Sequence, residues 1–422
     1  MSETKTISCP PISKVEIAHL RELAKKQLEY SKLPVMDERK TLWYLHNKVS
    51  GVRPMVVMEE GTFINDILPK QFCSHPVAVS IERQINQVIA AYEIFDDDKV
   101  VPDFFPVYFD IDVDFLGLKI NCSYADNSVG FHLNPIFETI EEGLPIIKPS
   151  VFFYNKEKTE EYENIVSDIL DGILPVVYKN GFNVWSNNPP AILLNMMGME
   201  NMFTAMISES DKFKYVIKLI TDDIKRCLRW QEENKLITIN NNNDYMGSGS
   251  YCFTDELPAS SYAGTVRSID TWGFLSGQEA VGISPEHFHE YFYSSFEELS
   301  KEFGLLYWGC CEPVHGIWDK SLSRISNLRK ISISNWCDEG AMADRLTGKK
   351  IIYSRKPSPN FTGIKAEFDE ELFTSYIKRT AEICKGKCKT EFIFRDIYSL
   401  HGNIGKTRKI VDITRRIAET MY

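Results

Sequence analysis

Short apolar runs alternate with longer amphipathic segments along this chain, a pattern typical of an α/β protein with a parallel sheet. Each apolar run predicts one strand, and the helical patterns between the runs predict the connections. About eight strands separated by helices predict a (β/α)₈ TIM barrel, a fold of ~250 residues plus insertions. The predicted strands are residues 55–58, 105–109, 182–185, 266–269, 305–308, 331–334, 351–354 and 392–394.

Helical spacing of apolar residues is clearest in three segments. Residues 14–49 carry Ile17, Leu20 and Leu28 at helical intervals before the first strand, and further helices are predicted near 76–91 and 213–230. We therefore predict a helical extension at residues 1–50 and one barrel domain at residues 51–422. The polar, glycine-rich stretch within 240–265 predicts a loop, inserted over the barrel mouth, that could act as a lid.

Composition narrows the class of protein. With 43% hydrophobic and 25% charged residues, the 422-residue chain has the composition of an ordinary globular protein. A net charge of -11 argues against nucleic acid as the main partner and favours small molecules and proteins. Because no stretch approaches the ~18 apolar residues of a membrane span, we expect a cytoplasmic protein without a membrane partner. Its ten cysteines are then expected to be reduced thiols.

Polar side chains at the ends of predicted strands are the candidate chemistry, since α/β barrels build their active sites there. Cys310, Cys311 and Glu312 follow one strand and are donor types that suit zinc. Adjacent residues of an extended strand point to opposite faces, so only one of the two thiols is expected to face the interior. Asp110 and Asp270 end two other predicted strands and are expected to face the same mouth.

Two motifs resemble a known superfamily. The run Asp270-Thr271-Trp272, followed by Ser284-Pro285-Glu286, resembles the Asp-Ser-Trp strand end and Ser-Pro-Glu helix start of uroporphyrinogen decarboxylases and of the zinc- and corrinoid-dependent methyltransferases that share their barrel. Phe109-Asp110-Ile111 is similar to the decarboxylases' Ser-Asp-Ile run. The resemblance implies the decarboxylase type of TIM barrel, with Asp110 and Asp270 in catalytic roles.

The methyltransferase branch is the closer match. Gly309-Cys310-Cys311 stands where that branch carries a His-x-Cys pair, and His401-Gly402 resembles the Gly-His-Gly turn near the decarboxylases' C-terminus, where the methyltransferases carry a zinc-binding cysteine. The resemblance implies a catalytic zinc with three protein ligands and one open position. Cys311 aligns best with the family's ligand, and the candidate ligands are Cys310, Cys311, Glu312, Cys337 and His401.

The first strand argues against a porphyrinogen substrate. It ends in Met58-Glu59-Glu60-Gly61, where the decarboxylases carry arginines that face the substrate's carboxylates. Two acids in such a pocket would repel a polyanion. We therefore assign Glu59 to the catalytic group of a different reaction rather than to porphyrinogen binding.

The resulting hypothesis is a methyltransferase that moves a methyl group from a small methylated donor, foremost a methoxylated aromatic, to the Co(I) corrinoid of a partner protein. Zinc would act as the Lewis acid that stabilises the leaving oxygen. Trp272, Phe274 and Tyr108 are the candidate walls of the substrate pocket, and Lys356 is a cation that could hold a carboxylate or phenolate oxygen.

Three alternatives stay open on the sequence. They are a methylcobamide:thiol methyltransferase, in which zinc presents a thiolate, a decarboxylase acting on a less acidic substrate, and a non-catalytic barrel that binds corrinoid or metal. A homodimer is also compatible with the sequence.

Overall fold

Helices and short strands alternate through the computed structural model, which describes residues 11–120, 122–124 and 131–422. Within those residues, no helix combines the length and the apolarity needed to cross a lipid bilayer. The α-helices are α1 Lys14–Ser31, α2 Pro34–Asn47, α3 Ile64–Ile67, α4 Pro76–Phe95, α5 Ile140–Gly143, α6 Lys156–Leu170, α7 Pro189–Met197, α8 Met199–Ser208, α9 Ser210–Glu233, α10 Pro285–Phe288, α11 Ser294–Ser300, α12 Glu339–Leu346, α13 Asn360–Gly363, α14 Glu370–Cys384 and α15 Gly405–Met421.

The strands are short. They are β1 Met55–Met58, β2 Phe105–Tyr108, β3 Ile111–Asp114, β4 Cys122–Tyr124, β5 Phe131–Leu133, β6 Val151–Tyr154, β7 Val176–Lys179, β8 Tyr245–Met246, β9 Ser250–Tyr251, β10 Trp272–Leu275, β11 Leu305–Trp308, β12 Leu328–Ile333, β13 Ile352–Arg355 and β14 Thr390–Phe394. The predictions for β1, β2 and β11–β14 are confirmed, with boundaries shifted by at most a few residues.

A parallel sheet of six strands organises the described part of the chain, in the order β1-β14-β13-β12-β11-β10. Strands β2 and β7 form a second, two-stranded parallel sheet. This arrangement is barrel-like and mixed α/β, as predicted. Closure of the barrel is not confirmed, because no ladder joins β1 to β2 or β7 to β10 among the described residues. At the β10 edge, the Asn240 side chain instead accepts the Trp272 N–H at 2.8 Å and donates to Trp272 O at 3.0 Å.

Two predicted strands are wrong. Residues 182–185 include the 3₁₀ turn Phe182–Val184, which follows the true strand β7. Residues 266–269 lead into the 3₁₀ turn Ser268–Asp270, and β10 begins only at Trp272. The Asp270 carboxylate accepts the Arg267 N–H at 3.0 Å, and the Thr271 hydroxyl donates to Ser268 O at 2.7 Å. Such local side-chain bonds favour a turn over an extended backbone.

The two N-terminal helices pack against different elements, α1 against α4 and α6 and α2 against β1. Ser13 and Glu16 form a capping box that starts α1. Trp43 of α2 lies in one apolar cluster with Met55 and Val57 of β1. The helices predicted for this region are therefore present, while the division into an extension and a barrel domain stays a prediction.

Alternation along the strands places polar residues on one face of the six-stranded sheet and apolar residues on the face that packs against helices. In β12 and β14, Ile331 and Phe392 lie in apolar clusters built with the surrounding helices. Their neighbours Lys330 and Glu391 point the other way, and their side chains are 3.3 Å apart and fully buried. The period of two of a strand puts this ion pair in the interior.

Candidate active site

Two thiols meet at the carboxyl-terminal end of β11. The strand ends at Trp308, and Gly309 follows with φ of 95°, a backbone conformation that favours glycine. A Cβ at this position would lie 3.1 Å from the Ser332 Cβ. The turn interrupts the strand alternation, so Cys310 and Cys311 lie on the same side with their Sγ atoms 3.4 Å apart. The expectation that only one thiol faces the interior is therefore wrong.

Arg395, which follows β14, brings a cation to this thiol pair of Cys310 and Cys311. Its Nη1 donates to Cys310 Sγ at 3.2 Å, and its Nε lies 3.1 Å from Glu59 Oε2. The hydrogen bond with Cys311 lowers the pKa of Cys310, and the guanidinium lowers it further against the effect of burial. The pKa of Cys311 is raised, so the pair favours a single thiolate on Cys310.

Glu312 has a backbone role. Its carboxylate accepts the N–H groups of Gly277 at 3.0 Å and of Cys310 at 2.8 Å, and thereby fixes the turn after β11. Burial raises the pKa of Glu312, and these backbone bonds counter that rise. Backbone amides donate to both oxygens, so the Glu312 side chain holds the turn that carries the thiol pair.

A hairpin of residues 245–251, the inner hairpin, fills the interior beside the thiol pair. Ser248 at its tip donates to Gly309 O at 2.9 Å and accepts from Arg395 at 2.7 Å. Ser250 donates to Glu391 at 2.9 Å, deeper in the barrel. Ser248 and Ser250 are fully buried. The sequence predicted an insertion over the mouth, whereas this part of the segment lies inside.

A cavity of about 680 Å³ opens between β1 and β2, where the sheet has no ladder. Tyr108 and Trp185 are 54% and 51% exposed and line this aromatic cavity. Large apolar side chains left uncovered in a concave site are typical of ligand pockets. The aromatic residues on its walls are Tyr92, Phe104, Phe105, Tyr108, Trp185, Tyr245 and Tyr251.

The charges on the cavity wall are paired. Lys179 lies 2.5 Å from Asp244, and Lys99 forms an ion pair with Glu60. Glu59 stands where the cavity meets the thiol pair, bonded to Arg395 and accepting from the Tyr245 hydroxyl. Acids and cations that neutralise each other leave a pocket suited to an uncharged ring more than to a polyanion.

Lys356, predicted to bind substrate, is buried at the end of β13. Its Nζ donates to the Tyr307 hydroxyl and to Ser354 Oγ, each at 2.6 Å. Phe274 of β10 lies edge-on to Tyr307, with ring centroids 5.7 Å apart, and edge-on to Trp185 at 5.0 Å. Tyr108, Phe274 and Lys356 are therefore grouped around the interior in which Glu59 and the thiol pair also lie.

The predicted zinc ligands are not brought together. Among the described residues, no group of three or more His, Cys, Asp or Glu side chains is arranged to hold a metal ion. His401 lies on an exposed turn with φ of 50°, where its Nε2 is 2.9 Å from Gly363 O. Cys337 Sγ accepts the Val314 N–H at 3.3 Å. The residues present do not fit the predicted zinc set, since only the thiol pair is assembled.

Asp110 and Asp270 lie apart from the thiol pair, whereas Trp272 belongs to the same buried apolar cluster as Phe274 and Cys310. Asp270 and Trp272 stand at the start of β10, whereas the mouth lies at the strand ends, and the Trp272 Nε1 donates to Cys252 O at 2.9 Å. Asp110 is partly exposed and lies 2.9 Å from Lys158, at the start of α6. A strand boundary shifted by a few residues was enough to misplace Asp270.

Sequence reasoning missed the residues that connect the site. Arg395, Ser248 and Tyr307 all contact predicted site residues and were not assigned roles. One signal was present, since Glu391 is the single charged residue of the otherwise largely apolar strand β14. A charge in such a strand is seldom buried without a partner.

No protein-family model matches the chain. No curated protein matches it. Among solved structures, the chain is similar to a methyltransferase from Methanosarcina mazei, with a TM-score of 0.50 and 10% sequence identity. The similarity covers 89% of this chain and 98% of that one. At this level of identity the likeness concerns the fold alone.

Proposed function

We propose that the protein is a methyltransferase that moves a methyl group from a small methylated compound to a Co(I) corrinoid carried by a partner protein. The observation that carries this proposal is the thiol pair, with Arg395 and Glu59, at the strand ends beside an aromatic cavity of about 680 Å³. The fold likeness to a methyltransferase is consistent with it. The corrinoid acceptor rests on the sequence resemblance.

A neutral methoxylated aromatic is the donor that we favour. Its ring would lie against Tyr108 and Trp185, which bury large flat surfaces when a ligand covers them. Among the described residues, the paired charges of the wall offer hydrogen bonds but no unpaired cation for a carboxylate. Donors with several carboxylates should therefore bind poorly.

Methyl transfer from an ether requires the protein to stabilise a developing oxygen anion. When the methyl group leaves an ether, the electron pair of the C–O bond stays on the oxygen, and preorganised cations or donors lower that barrier. Arg395 and Lys356 are cationic side chains of the described interior that lie near the thiol pair and Glu59. Our proposal assigns them to the oxygen, and it assigns Glu59 to fixing Arg395.

The proposal routes no step through zinc, because the predicted ligands are not assembled. Zinc remains a prediction that elemental analysis can test on the parent and on Cys310→Ala and Cys311→Ala. Stoichiometric zinc that is lost in both variants would mean that the thiol pair acquires further ligands by rearrangement. Parent protein without zinc would remove the metal from the hypothesis.

The decisive experiment follows the corrinoid spectrum. Co(I) corrinoid is mixed anaerobically with the protein and with methoxybenzenes, methoxybenzoates, methanol or methylamines, and formation of methyl-Co(III) is recorded. We expect neutral methoxybenzenes to react fastest. Absence of transfer from every donor would refute the function, and a preference for methoxybenzoates would refute the assignment of the cavity.

Cavity variants locate the donor. Trp185→Ala and Tyr108→Ala should each raise KM by roughly 2- to 13-fold, since an aromatic contact is worth about 0.5–1.5 kcal/mol. Tyr398→Ala is the matched control, because Tyr398 is also well exposed but does not line the cavity. Equal KM changes in all three variants would mean that the donor binds elsewhere.

A further inference from the structure

Lys356 is a buried lysine whose ammonium contacts no carboxylate in the part of the chain that the structure describes. The hydrogen-bond partners of its Nζ among the described residues are two hydroxyls, Tyr307 OH and Ser354 Oγ, each at 2.6 Å. These two hydroxyls are themselves 2.7 Å apart. Two partners leave one tetrahedral direction of the ammonium unused by these residues.

The Glu391 carboxylate forms an ion pair with a second lysine, Lys330. Glu391 Oε2 lies 3.3 Å from Lys330 Nζ and 3.2 Å from His46 Nε2, and Glu391 Oε1 accepts from Ser354 at 2.5 Å. Lys330 thus reaches Glu391 directly, whereas Lys356 reaches it only through Ser354. One buried carboxylate neutralises one ammonium, so the second lysine is the one that can give up its proton.

The remaining charged groups that act on Lys356 follow three other strands of the sheet. They are Glu59 after β1, Cys310 after β11 and Arg395 after β14. Glu59 and Cys310 are both contacted by Arg395, which uses their negative charge. Burial is the main cause that lowers the pKa of Lys356 to about 7, with Glu391 opposing that shift.

We propose that Lys356 is the general acid of this barrel, held in position by Tyr307 and Ser354 and donating its proton to the oxygen from which the methyl group departs. This inference rests on the proposed methyl transfer. The Co(I) acceptor of the proposed reaction would supply the electron pair of the new bond to the methyl carbon. As the C–O bond breaks, its electron pair stays on oxygen, an N–H bond of Lys356 breaks and an O–H bond forms. The product leaves as a neutral phenol, and the neutral amine takes a proton from water.

An amine that loses its proton near neutral pH can be recognised without any turnover. The protein is acetylated with trace acetic anhydride at a series of pH values, and the label on each lysine is quantified by mass spectrometry. The labelling of Lys356 should reach half of its maximum near pH 7, and the label on the exposed Lys301 serves as the internal reference. An ordinary lysine profile at Lys356 would overturn the proposal.

Two variants test the cause of that behaviour in opposite directions. Lys330→Met releases Glu391, so the midpoint of Lys356 should move to higher pH. Ser354→Ala removes the hydroxyl that links Lys356 to Glu391, so the midpoint should move to lower pH. If Lys330→Met does not fold, Ser354→Ala still decides. An unchanged midpoint in the folded variants would contradict the charge argument.

Methyl transfer tests the acid role itself. A general acid must be protonated, so transfer by the parent should fall as pH rises through about 7. Lys356→Met should be slower by roughly 100-fold or more and lose this pH dependence. Lys356→Arg keeps the positive charge, but the guanidinium does not give up a proton at this pH, so this variant should also lose the pH dependence.

A chemical control separates acid catalysis from a structural role. A methyl ether of a nitrophenol leaves as a stable anion and needs little protonation, so Lys356→Met should retain far more activity with it than with methoxybenzene. Equal losses with both donors would mean that Lys356 is structural. A parent that transfers no methyl group would refute the proposed function and the acid role together, whereas the acetylation profile would still report the state of Lys356.

Discussion

Glu391→Gln is the substitution whose consequences follow most directly from the barrel interior. Glutamine keeps the size of the side chain and removes the charge that four groups share. Lys330, His46, Ser250 and Ser354 all contact the Glu391 carboxylate within 3.3 Å, and Glu391 and Lys330 have no exposed surface. The variant therefore leaves the Lys330 ammonium buried beside a neutral amide.

Breaking a buried ion pair by removing one partner costs about 3–5 kcal/mol. We expect a loss of roughly 3 kcal/mol in the free energy of unfolding near pH 7, because Lys330 can limit the damage by releasing its proton. Urea unfolding reports the change through the fluorescence of the buried Trp43 and Trp308.

The loss should shrink as pH rises. Burial lowers the pKa of Lys330 in the folded parent, and without Glu391, which opposes that shift, it falls further. A base with a lowered folded pKa binds fewer protons folded than unfolded, so stability increases with pH until the unfolded lysine titrates near about 10. Variant and parent should therefore converge between about pH 7 and pH 9.5.

Glu256→Gln is the matched control, since Glu256 pairs with Arg329, the residue before Lys330, at 2.6 Å on the surface. A surface pair contributes about 0–1 kcal/mol, and its loss should not depend on pH in this range. If Glu391→Gln costs no more than this control, or if its cost is the same at both pH values, the buried charge assignment is wrong.

Three further outcomes are expected. Asp270→Asn should lower the thermal midpoint and the activity together, because Asp270 holds the turn before β10. Asp110→Asn should change neither beyond error, since Asp110 pairs with an exposed lysine. Thermal scans and transfer assays measure both quantities, and an Asp270→Asn variant with the parent's thermal midpoint and activity would contradict this. Arg395→Met should raise the pKa of Cys310 and slow its alkylation by iodoacetamide at neutral pH, read by peptide mass; faster alkylation would exclude a thiolate held by Arg395. Anaerobic incubation with uroporphyrinogen should give no coproporphyrinogen, because the Glu59 carboxylate lines the cavity and would repel a polyanion. Clear formation of coproporphyrinogen would overturn the charge argument.

The sequence by itself determined the strands whose signal is local. Four-residue apolar runs gave β1 and β11 at their observed bounds and β12–β14 within a few residues, because strand formation there depends on neighbouring side chains. Helices α4 and α9 followed from their spacing of apolar residues. The position of the thiol pair after β11 was therefore known before any tertiary contact.

Tertiary structure decided which of these residues meet. The turn at Gly309 places both thiols on one side, and Arg395 joins them to Glu59 across a sequence distance of more than three hundred residues. His401 carries suitable chemistry but faces Gly363, and Asp270 lies at the wrong end of its strand. The protonation state of Lys356 depends on which lysine forms the ion pair with Glu391. Periodicity reports which face a side chain takes, whereas charge pairing and ligand geometry depend on distances between strands that only the folded sheet fixes.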